Sequence, residues 1–403
     1  MIYDLLIIGG GAAGMMAAIT AAETGKKVII IEKMNRLGKK ILATGNGRCN
    51  FTNSYLDEDC YRSSKKSFPF TAVEQFGSQD AIAFFEQLGI AVVDRDGYYY
   101  PRSNQASTVA DGLIYKIKSL HIPVVLECKI NRIEKKKGYF TIASRKKEFT
   151  GRNLLIAAGG KAQEKLGSDG SGFLLAKSCR HTLIEPFPAL TALIIKKHPL
   201  KEASGVRCRC KVTAVINGQG SKAEEGELQI TSYGVSGVLI FQLSRFIIDG
   251  IRKGKRSAIC IDFLPEQKEK SQFFTTMKEC ASYKTAQQWL EGYFPTKLAD
   301  ALLAYAGVDS NKNVGNLSKK EREQIWRQIK ECRMSIDGWK DFDFAQVTAG
   351  GVSVAEVSPY TMESELIPGL YFAGEILDVD GTCGGYNLQW AWTSGYLAGR
   401  SIQ

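Results

Sequence analysis

The stretch DLLIIGGGAAGMMAA (residues 4–18) decides the fold expected for this chain. Residues 3–8 form a short, continuous apolar run, which is typical of a strand buried on both faces of a parallel sheet. Residues 12–24 have the small and apolar composition of a buried helix, and KVIII (27–31) predicts a second buried strand. A strand, a helix and a strand within about 30 residues have the size of a βαβ unit. The sequence therefore predicts a parallel, Rossmann-like sheet.

The turn between the first strand and the helix has the spacing G-x-G-x-x-G, formed by Gly9, Gly11 and Gly14. Gly9 permits a tight turn, Gly11 lets the backbone approach a pyrophosphate, and Gly14 lets the helix pack closely on the strand. Glu32, at the end of the second strand, is placed to accept hydrogen bonds from ribose hydroxyls, and its charge would repel the 2′-phosphate of NADP. The alternative is an ordinary Gly-rich turn, but the flanking strand and helix favour dinucleotide binding. A second Gly-rich turn, at 218–220, precedes a polar hairpin and lacks this context.

Composition places the chain among globular proteins. It has 403 residues, of which 44% are hydrophobic and 24% charged, so extensive disorder is excluded. The formal net charge is +11, and the basic residues are scattered along the chain rather than gathered in one segment. We therefore expect a solvated lysine-rich surface, with no nucleic-acid partner and no membrane surface.

Cysteine and histidine usage excludes several kinds of site. The ten cysteines include no C-x-x-C pair, and none of the three histidines lies near a cysteine pair, so we expect no metal site. No G-x-S-x-G motif supports a serine hydrolase. Residues 1–22 are apolar but contain Asp4 and four glycines, and no run approaches about 18 uninterrupted apolar residues. These features predict a cytoplasmic protein in a reducing compartment.

The sequence changes character twice. Short strand patterns separated by turns follow from about 185 to 264, a helical pattern covers about 266–334, and the Gly-rich, apolar style of the N-terminus returns at 345. We predict an α/β fold in which a Rossmann-like domain of residues 1–188 and 345–403 is interrupted by a β-barrel-like part (189–265) and a small helical part (266–344).

The loop LGKKILATGNGRCNFTN (37–53) follows the second strand and is rich in hydrogen-bond donors that suit an anionic ligand. Cys49 lies in it without a partner cysteine at dithiol spacing. A structural or ligand-facing thiol is therefore favoured over a redox-active one.

These motifs resemble a known family. Residues 4–18 and GKKVIIIEK (25–33) resemble the FAD-binding start of glutathione-reductase-type flavoproteins. Loop 37–53, LQITSYGVSG (228–237) and the C-terminal stretch 348–399, which contains GLYFAGEILDVDGTCGGYNLQW, are more specific. They resemble, over nearly the whole chain, a bacterial family of NAD(P)/FAD-dependent oxidoreductases. The family is also known as the aminoacetone oxidase family of FAD-binding enzymes, and it includes a bile-acid 3-oxo-enone reductase.

The resemblance implies non-covalent FAD and a set of residues that hold it. The first turn would cradle the pyrophosphate, the end of the second strand would hold the adenosine ribose, and the last helix would begin at the pyrimidine edge of the flavin. Glu375 stands where the wider superfamily usually has Asp. The implied FAD-binding residues are Gly9, Gly11, Ala12, Ala13, Gly14, Glu32, Lys33, Lys40, Gly45, Arg48, Cys49, Asn50, Ile130, Ala158, Gly159, Gly160, Gly374, Glu375, Gly385, Tyr386, Asn387 and Leu388.

No catalytic residue is identified. Tyr100, in the aromatic run 96–102, could line the substrate side of the flavin or serve only in hairpin packing. Cys49 is a second weak candidate, and Tyr233 a third, with Ser236 beside it, because in the family the inserted part covers the substrate side. The segment GSDGSG (167–172) could bind a ligand or merely lead into a helix.

Three functions remain open from the sequence. In the first, NAD(P)H transiently reduces the flavin, which then reduces an electron-poor small molecule such as an enone through N5. In the second, the flavin oxidises a small amine and O2 reoxidises it with formation of H2O2. In the third, the chain is a flavin- or nucleotide-binding protein that acts on RNA, against which the absence of aromatic-basic interleaving argues.

Overall fold

The computed structural model describes the backbone of residues 1–403 and every side chain except that of Cys280. The α-helices are α1 (Ala12–Glu23), α2 (Ser67–Val73), α3 (Ser78–Gln87), α4 (Ala106–Ser119), α5 (Ser171–Ser178), α6 (Val238–Arg252), α7 (Lys270–Ala281), α8 (Ala286–Leu290), α9 (Thr296–Ala306), α10 (Lys319–Lys330) and α11 (Tyr386–Arg400). The strands are β1 (Ile2–Ile8), β2 (Val28–Ile31), β3 (Thr52–Asn53), β4 (Tyr61–Arg62), β5 (Val92–Arg95), β6 (Tyr98–Pro101), β7 (Val124–Val125), β8 (Arg132–Lys136), β9 (Tyr139–Ala143), β10 (Glu148–Ile156), β11 (Leu183–Ala189), β12 (Leu193–Ile194), β13 (Arg207–Ile216), β14 (Gln219–Thr231), β15 (Gly234–Ser236), β16 (Ser257–Asp262), β17 (Cys332–Ser335), β18 (Gly338–Trp339), β19 (Val347–Val352), β20 (Leu370–Phe372) and β21 (Asp380–Gly381).

The chain forms two compact units. The first unit consists of Met1–Phe187 and Gln346–Gln403, and the second unit is Pro188–Ala345. The finer division of the chain into an FAD domain, a β-rich part and a helical part stays a prediction.

The first unit is built on a sheet with the strand order β7-β2-β1-β10-β9-β8. β1 lies between β2 and β10 and runs parallel to both, with Leu5 opposite Val28 on one side and Asn153 on the other. Leu5, Leu6 and Ile7 are fully buried, as a strand covered on both faces requires. The predicted α/β, Rossmann-like fold is confirmed.

β10 has partners of both kinds. Its first half pairs antiparallel with β9, and its last residues, Leu154–Ile156, pair parallel with Leu370–Phe372 of β20. The sequence pattern predicts hairpin strands near 139–150 and a separate buried strand at 153–160. In the structure β9 is the first hairpin strand, and the second hairpin strand continues into the buried strand as the nine-residue β10, which ends at Ile156. Through β20, the C-terminal segment becomes part of the N-terminal sheet.

α11 packs directly on α1. A Cβ atom placed at Gly395 would lie 2.5 Å from the backbone oxygen of Ala13, and one at Gly399 would lie 2.6 Å from that of Ala17. The two helices can approach this closely only because both positions are glycine. This contact brings the start of the last helix to the same end of the sheet as the Gly-rich turn.

The second unit contains a seven-stranded antiparallel sheet with the order β17-β16-β13-β14-β15-β12-β18. Helices α7 to α10 lie between β16 and β17 in the chain. α6 interrupts the region that the sequence analysis read as strands and turns. Its apolar residues Leu239, Leu243 and Ile247 follow a helical spacing and are buried. The helical period in VLIFQLSRFIIDGIR could have revealed this helix.

Two local sequence patterns lead to wrong predictions. SQDAIAFFEQL (78–88) predicts a helix with Ser78 as its N-cap, but Ser78 is the first helical residue of α3 and the cap is Gly77, whose N–H donates to the Asp80 carboxylate at 2.8 Å. VVLECKINRIE (124–134) predicts one strand, but the structure does not form one there. This stretch contains β7 and the start of β8, and Ile130 lies in the irregular segment between them.

Within the described part of the chain, no helix is both long and apolar enough to cross a membrane. No group of three or more described His, Cys, Asp or Glu side chains could hold a metal ion. The thiol is free in eight of the described cysteines, namely Cys49, Cys60, Cys128, Cys179, Cys208, Cys210, Cys260 and Cys332.

Candidate cofactor site

The Gly-rich turn after β1 combines two glycines that the fold needs with one that it does not. Gly9 has a φ of +109°, and a Cβ atom there would collide with the backbone of Ala157. A Cβ atom at Gly14 would collide with the carbonyl oxygen of Gly9. Gly11, the N-cap of α1, has extended backbone angles, and a Cβ atom there would meet nothing within 4 Å. The open space beside Gly11 belongs to a cavity, and this is where a bound pyrophosphate fits.

Glu32 is fixed at the end of β2. Its Oε2 accepts a hydrogen bond of 2.6 Å from the N–H of Gly10, and its Oε1 accepts one of 2.7 Å from the N–H of Met34. The residue is 8% exposed and lines the cavity. Because each carboxylate oxygen can accept more than one hydrogen bond, the fixed acid retains capacity for ribose hydroxyls.

The cavity runs from the Gly-rich turn to the start of α11, and its whole wall belongs to the first unit. We call it the main cavity. It has the elements that a dinucleotide needs: a helix N-terminus, glycines without side chains, and an acid at the neighbouring strand end. The residues present therefore fit FAD.

Most of the implied FAD-binding residues line the main cavity. These are Gly9, Gly11, Ala12, Ala13, Glu32, Lys33, Lys40, Ile130, Ala158, Gly159, Gly374, Glu375, Asn387 and Leu388. The others do not line it: Gly14, Gly45, Arg48, Cys49, Asn50, Gly160, Gly385 and Tyr386. Gly14 still affects the cavity indirectly, because it allows α1 to lie close to Gly9.

Sequence reasoning missed part of the cationic wall. Arg36, Lys39 and Lys129 line the main cavity in addition to the two predicted lysines. The density of basic residues just after Glu32 was a usable signal for the first two. Lys129 had no such signal, because it comes from the distant segment between β7 and β8.

An ion pair links the N-terminal loop to the C-terminal segment across the wall. The Lys40 ammonium lies 2.7 Å from Glu375 Oε2, and both side chains are about four-fifths buried. The other oxygen of Glu375 accepts a 2.9 Å hydrogen bond from the N–H of Thr348. The resemblance had implied both charged residues, and the structure shows that they contact each other.

The start of α11 also lines the main cavity, through Asn387 and Leu388. Gly385 caps the helix with a φ of +96°, and the Asn387 side chain closes the preceding loop by exchanging hydrogen bonds of 2.8 and 2.9 Å with the backbone of Gly381. The Trp390 indole N–H donates to the carbonyl of Gly374 at 3.1 Å. A rigid 15-residue helix therefore directs its positive N-terminus at the cavity, where negative charge is stabilised.

Cys49 does not reach the main cavity. Its side chain is fully buried, and burial raises the pKa of its thiol to about 12, although a hydrogen bond with Thr44 acts in the other direction. A raised pKa keeps the thiol protonated and therefore argues against an activated thiolate at Cys49. Arg48 instead lies over the ring of Tyr100, 5.8 Å from its centre, and Arg95 contacts the same ring at 5.4 Å.

Tyr233 and Ser236 lie in the second unit. Tyr233 follows β14, and the Lys340 ammonium lies 4.3 Å from the centre of its ring. Ser236 ends β15. Their predicted place on the substrate side stays a prediction, as does the catalytic role of Tyr100.

The fold and the main cavity define a class, the flavin-dependent oxidoreductases. The chain belongs to the HI0933-like protein Rossmann domain family, which matches residues 3–401. It is 43% identical over 400 residues to the 3-dehydro-bile acid delta(4,6)-reductase of Clostridium scindens, with 98% of each chain covered. It is 28% identical over 400 residues to the ribosomal RNA dihydrouridine synthase of Escherichia coli, covering 99% of this chain and 98% of the relative.

A solved structure supports the fold alone. The 3-ketosteroid delta1-dehydrogenase from Sterolibacterium denitrificans, in complex with 1,4-androstadiene-3,17-dione, superimposes with a TM-score of 0.51. It covers 100% of this chain and 99% of the other at 12% sequence identity. The resemblance to the bacterial FAD-dependent family is confirmed, and so is the assignment as an enzyme of the flavin oxidoreductase class.

Proposed function

We propose that this enzyme uses NAD(P)H to reduce a carbon–carbon double bond conjugated to a carbonyl group, in a small molecule of steroid or bile-acid type. The observation that carries the proposal is the 43% identity with a reductase of that kind over 98% of both chains. The main cavity is consistent with it, because its wall contains the Gly-rich turn, the helix N-terminus and the acid that would bind FAD.

The chain's residues would bind and orient FAD. The backbone N–H groups at the start of α1 would bind the pyrophosphate, Glu32 would bind the adenosine ribose, and the N-terminus of α11 would face the flavin. When bound, FAD supplies hydride transfer through its N5 atom. The protein would then need to position the substrate, exclude water and deliver one proton.

The proton donor is not Cys49 in this proposal. The thiol is enclosed in the core, its pKa is raised by burial, and it does not line the main cavity. A donor must come within hydrogen-bond distance of the reacting carbon or reach it through one water. Tyr100 and Tyr233 remain candidates for this role.

Reduction of uridine in RNA is the second candidate function. It is favoured by the 28% identity, over nearly the whole chain, with a relative named as a ribosomal RNA dihydrouridine synthase. Dihydrouridine is uridine with two added hydrogens, so both candidate reactions saturate a carbon–carbon double bond. This candidate ranks second because its identity of 28% is lower than the 43% found for the bile-acid reductase. The expectation of a cytoplasmic enzyme fits either reaction.

Anaerobic rapid mixing of the FAD-loaded enzyme tests these functions. We expect NADH or NADPH to bleach the flavin absorbance, and a 4-en-3-oxo steroid to restore it without oxygen. Restoration by a uridine-containing ribosomal RNA fragment, and not by the steroid, would favour the second candidate. Bleaching by aminoacetone with no response to either nicotinamide would refute both and favour the amine oxidase.

A further inference from the structure

The Asp169 carboxylate contacts two lysines that come from distant parts of the chain. It lies in the segment GSDGSG (167–172), which precedes α5, and its side chain is 15% exposed. It forms an ion pair with Lys33 and accepts a 2.9 Å hydrogen bond from the Lys129 ammonium. Ser171 adds hydrogen bonds from its N–H at 2.9 Å and from its hydroxyl at 2.5 Å.

The groups that Asp169 holds are part of the cavity wall. Lys33, Lys129 and Ser171 all line the main cavity, together with Gly167 and Ser168 of the same segment. Lys33 directly follows Glu32, so this is the end at which a dinucleotide of this fold places its adenosine ribose.

Segment 167–172 also packs against the backbone around the Gly-rich strand end. The N–H of Gly170 donates to the carbonyl of Gly160 at 3.1 Å, and a Cβ atom at Gly159 would lie 3.0 Å from the Ser168 hydroxyl. The segment is therefore held on one side by backbone contacts and on the other by the two lysines.

The charges favour this arrangement. Burial raises the pKa of Asp169, but the hydrogen bonds from Lys33, Ser171 and Lys129 outweigh it and hold the pKa well below its usual range. The carboxylate is therefore ionised at neutral pH. The Lys33 side chain is only 17% exposed, and Asp169 supplies the opposite charge that a largely buried ammonium group requires.

We propose that Asp169 is a positioning residue that fastens segment 167–172 over the adenosine half of FAD and so sets how tightly FAD is retained. The proposal rests on FAD being the occupant of the main cavity. It differs from a general stabilising role because it concerns only one end of the cofactor. FMN lacks the adenosine half, so its binding should not depend on Asp169.

Asp169→Asn keeps the shape of the side chain and removes its charge. We expect its FAD dissociation constant, measured by flavin fluorescence with the apoprotein, to rise about tenfold or more, which corresponds to about 1.4 kcal/mol. The FMN dissociation constant should stay within about twofold. Lys129→Met, which leaves the Asp169–Lys33 pair in place, should show a smaller loss that is again specific for FAD.

Glu134→Gln is the matched control, since it removes an exposed carboxylate paired with Lys136, away from the main cavity. It should change neither constant. The proposal would be overturned if Asp169→Asn weakened the binding of FAD and FMN equally, or did not weaken FAD binding at all. If that variant does not fold, the same two outcomes in Lys129→Met would overturn it. A wild-type apoprotein that binds neither flavin would instead refute the cofactor assignment.

Discussion

Gly11→Val should separate cofactor binding from folding. The backbone at Gly11 is extended (φ −81°, ψ −167°), which valine adopts readily, and a Cβ atom there meets no atom within 4 Å. The change at the N-cap should cost at most about 1 kcal/mol of unfolding free energy. The branched side chain would, however, project into the space left for the pyrophosphate.

The size of the effect follows from the hydrogen bonds that would be lost. If two backbone N–H groups no longer reach the pyrophosphate, and each charge-assisted bond contributes about 1.5–3 kcal/mol, the loss is about 3–6 kcal/mol. FAD affinity should then fall by roughly two to four orders of magnitude. The purified variant should be colourless, with the far-ultraviolet circular dichroism of the wild type.

Two companion variants make the test decisive. Gly338→Val places the same side chain at another open glycine with ordinary φ that does not line the main cavity, and it should retain FAD. Gly9→Val should not fold, because its side chain would collide with the backbone of Ala157. Wild-type flavin content in Gly11→Val would refute the assignment of the turn.

Three further variants test individual groups. Cys49→Ser should retain FAD and keep turnover within about tenfold, or ~1.4 kcal/mol of barrier; loss of only the substrate-reducing half-reaction in rapid mixing would contradict this. Lys40→Met should weaken FAD binding about tenfold by fluorescence titration, because it leaves the Glu375 carboxylate facing an anionic cofactor. Burial lowers the pKa of His181, although Glu356 opposes this, so the folded state takes up its proton at lower pH than the unfolded state. The free energy of unfolding should therefore fall as pH drops below about 6.5, and urea titrations of His181→Gln should show a smaller fall.

The sequence predicts those parts of the fold that have a distinctive local pattern of apolar residues or glycines. β1, α1 and β2 follow from apolar runs and the glycine spacing, because burial on both faces of a parallel sheet needs continuous apolar strands. α6 has an equally clear helical period, but it lies between β15 and β16, and the strand patterns on either side led to a prediction of strands and turns for the whole region.

The candidate site was predictable only where a motif marks it. The Gly-rich turn and Glu32 follow from spacing, whereas Lys129 and Asp169 meet through contacts that join segments 40 residues apart. Such pairings depend on how the sheet brings loops together and leave no local signal. Cys49 illustrates the converse, since its position in a donor-rich loop suggested contact with the ligand, yet the core encloses it.

The first unit is discontinuous in the chain, and this has a consequence for how the protein is made. β20 and α11, which complete the sheet and cover α1, follow the roughly 160 residues of the second unit. At about 5–20 residues per second, a ribosome needs roughly 8–32 s to synthesise that length. During that time the N-terminal half presents the apolar face of α1 and an incomplete sheet. Nascent chains at this stage would expose apolar surface of the kind that chaperones bind, and FAD binding has to wait until α11 has been synthesised.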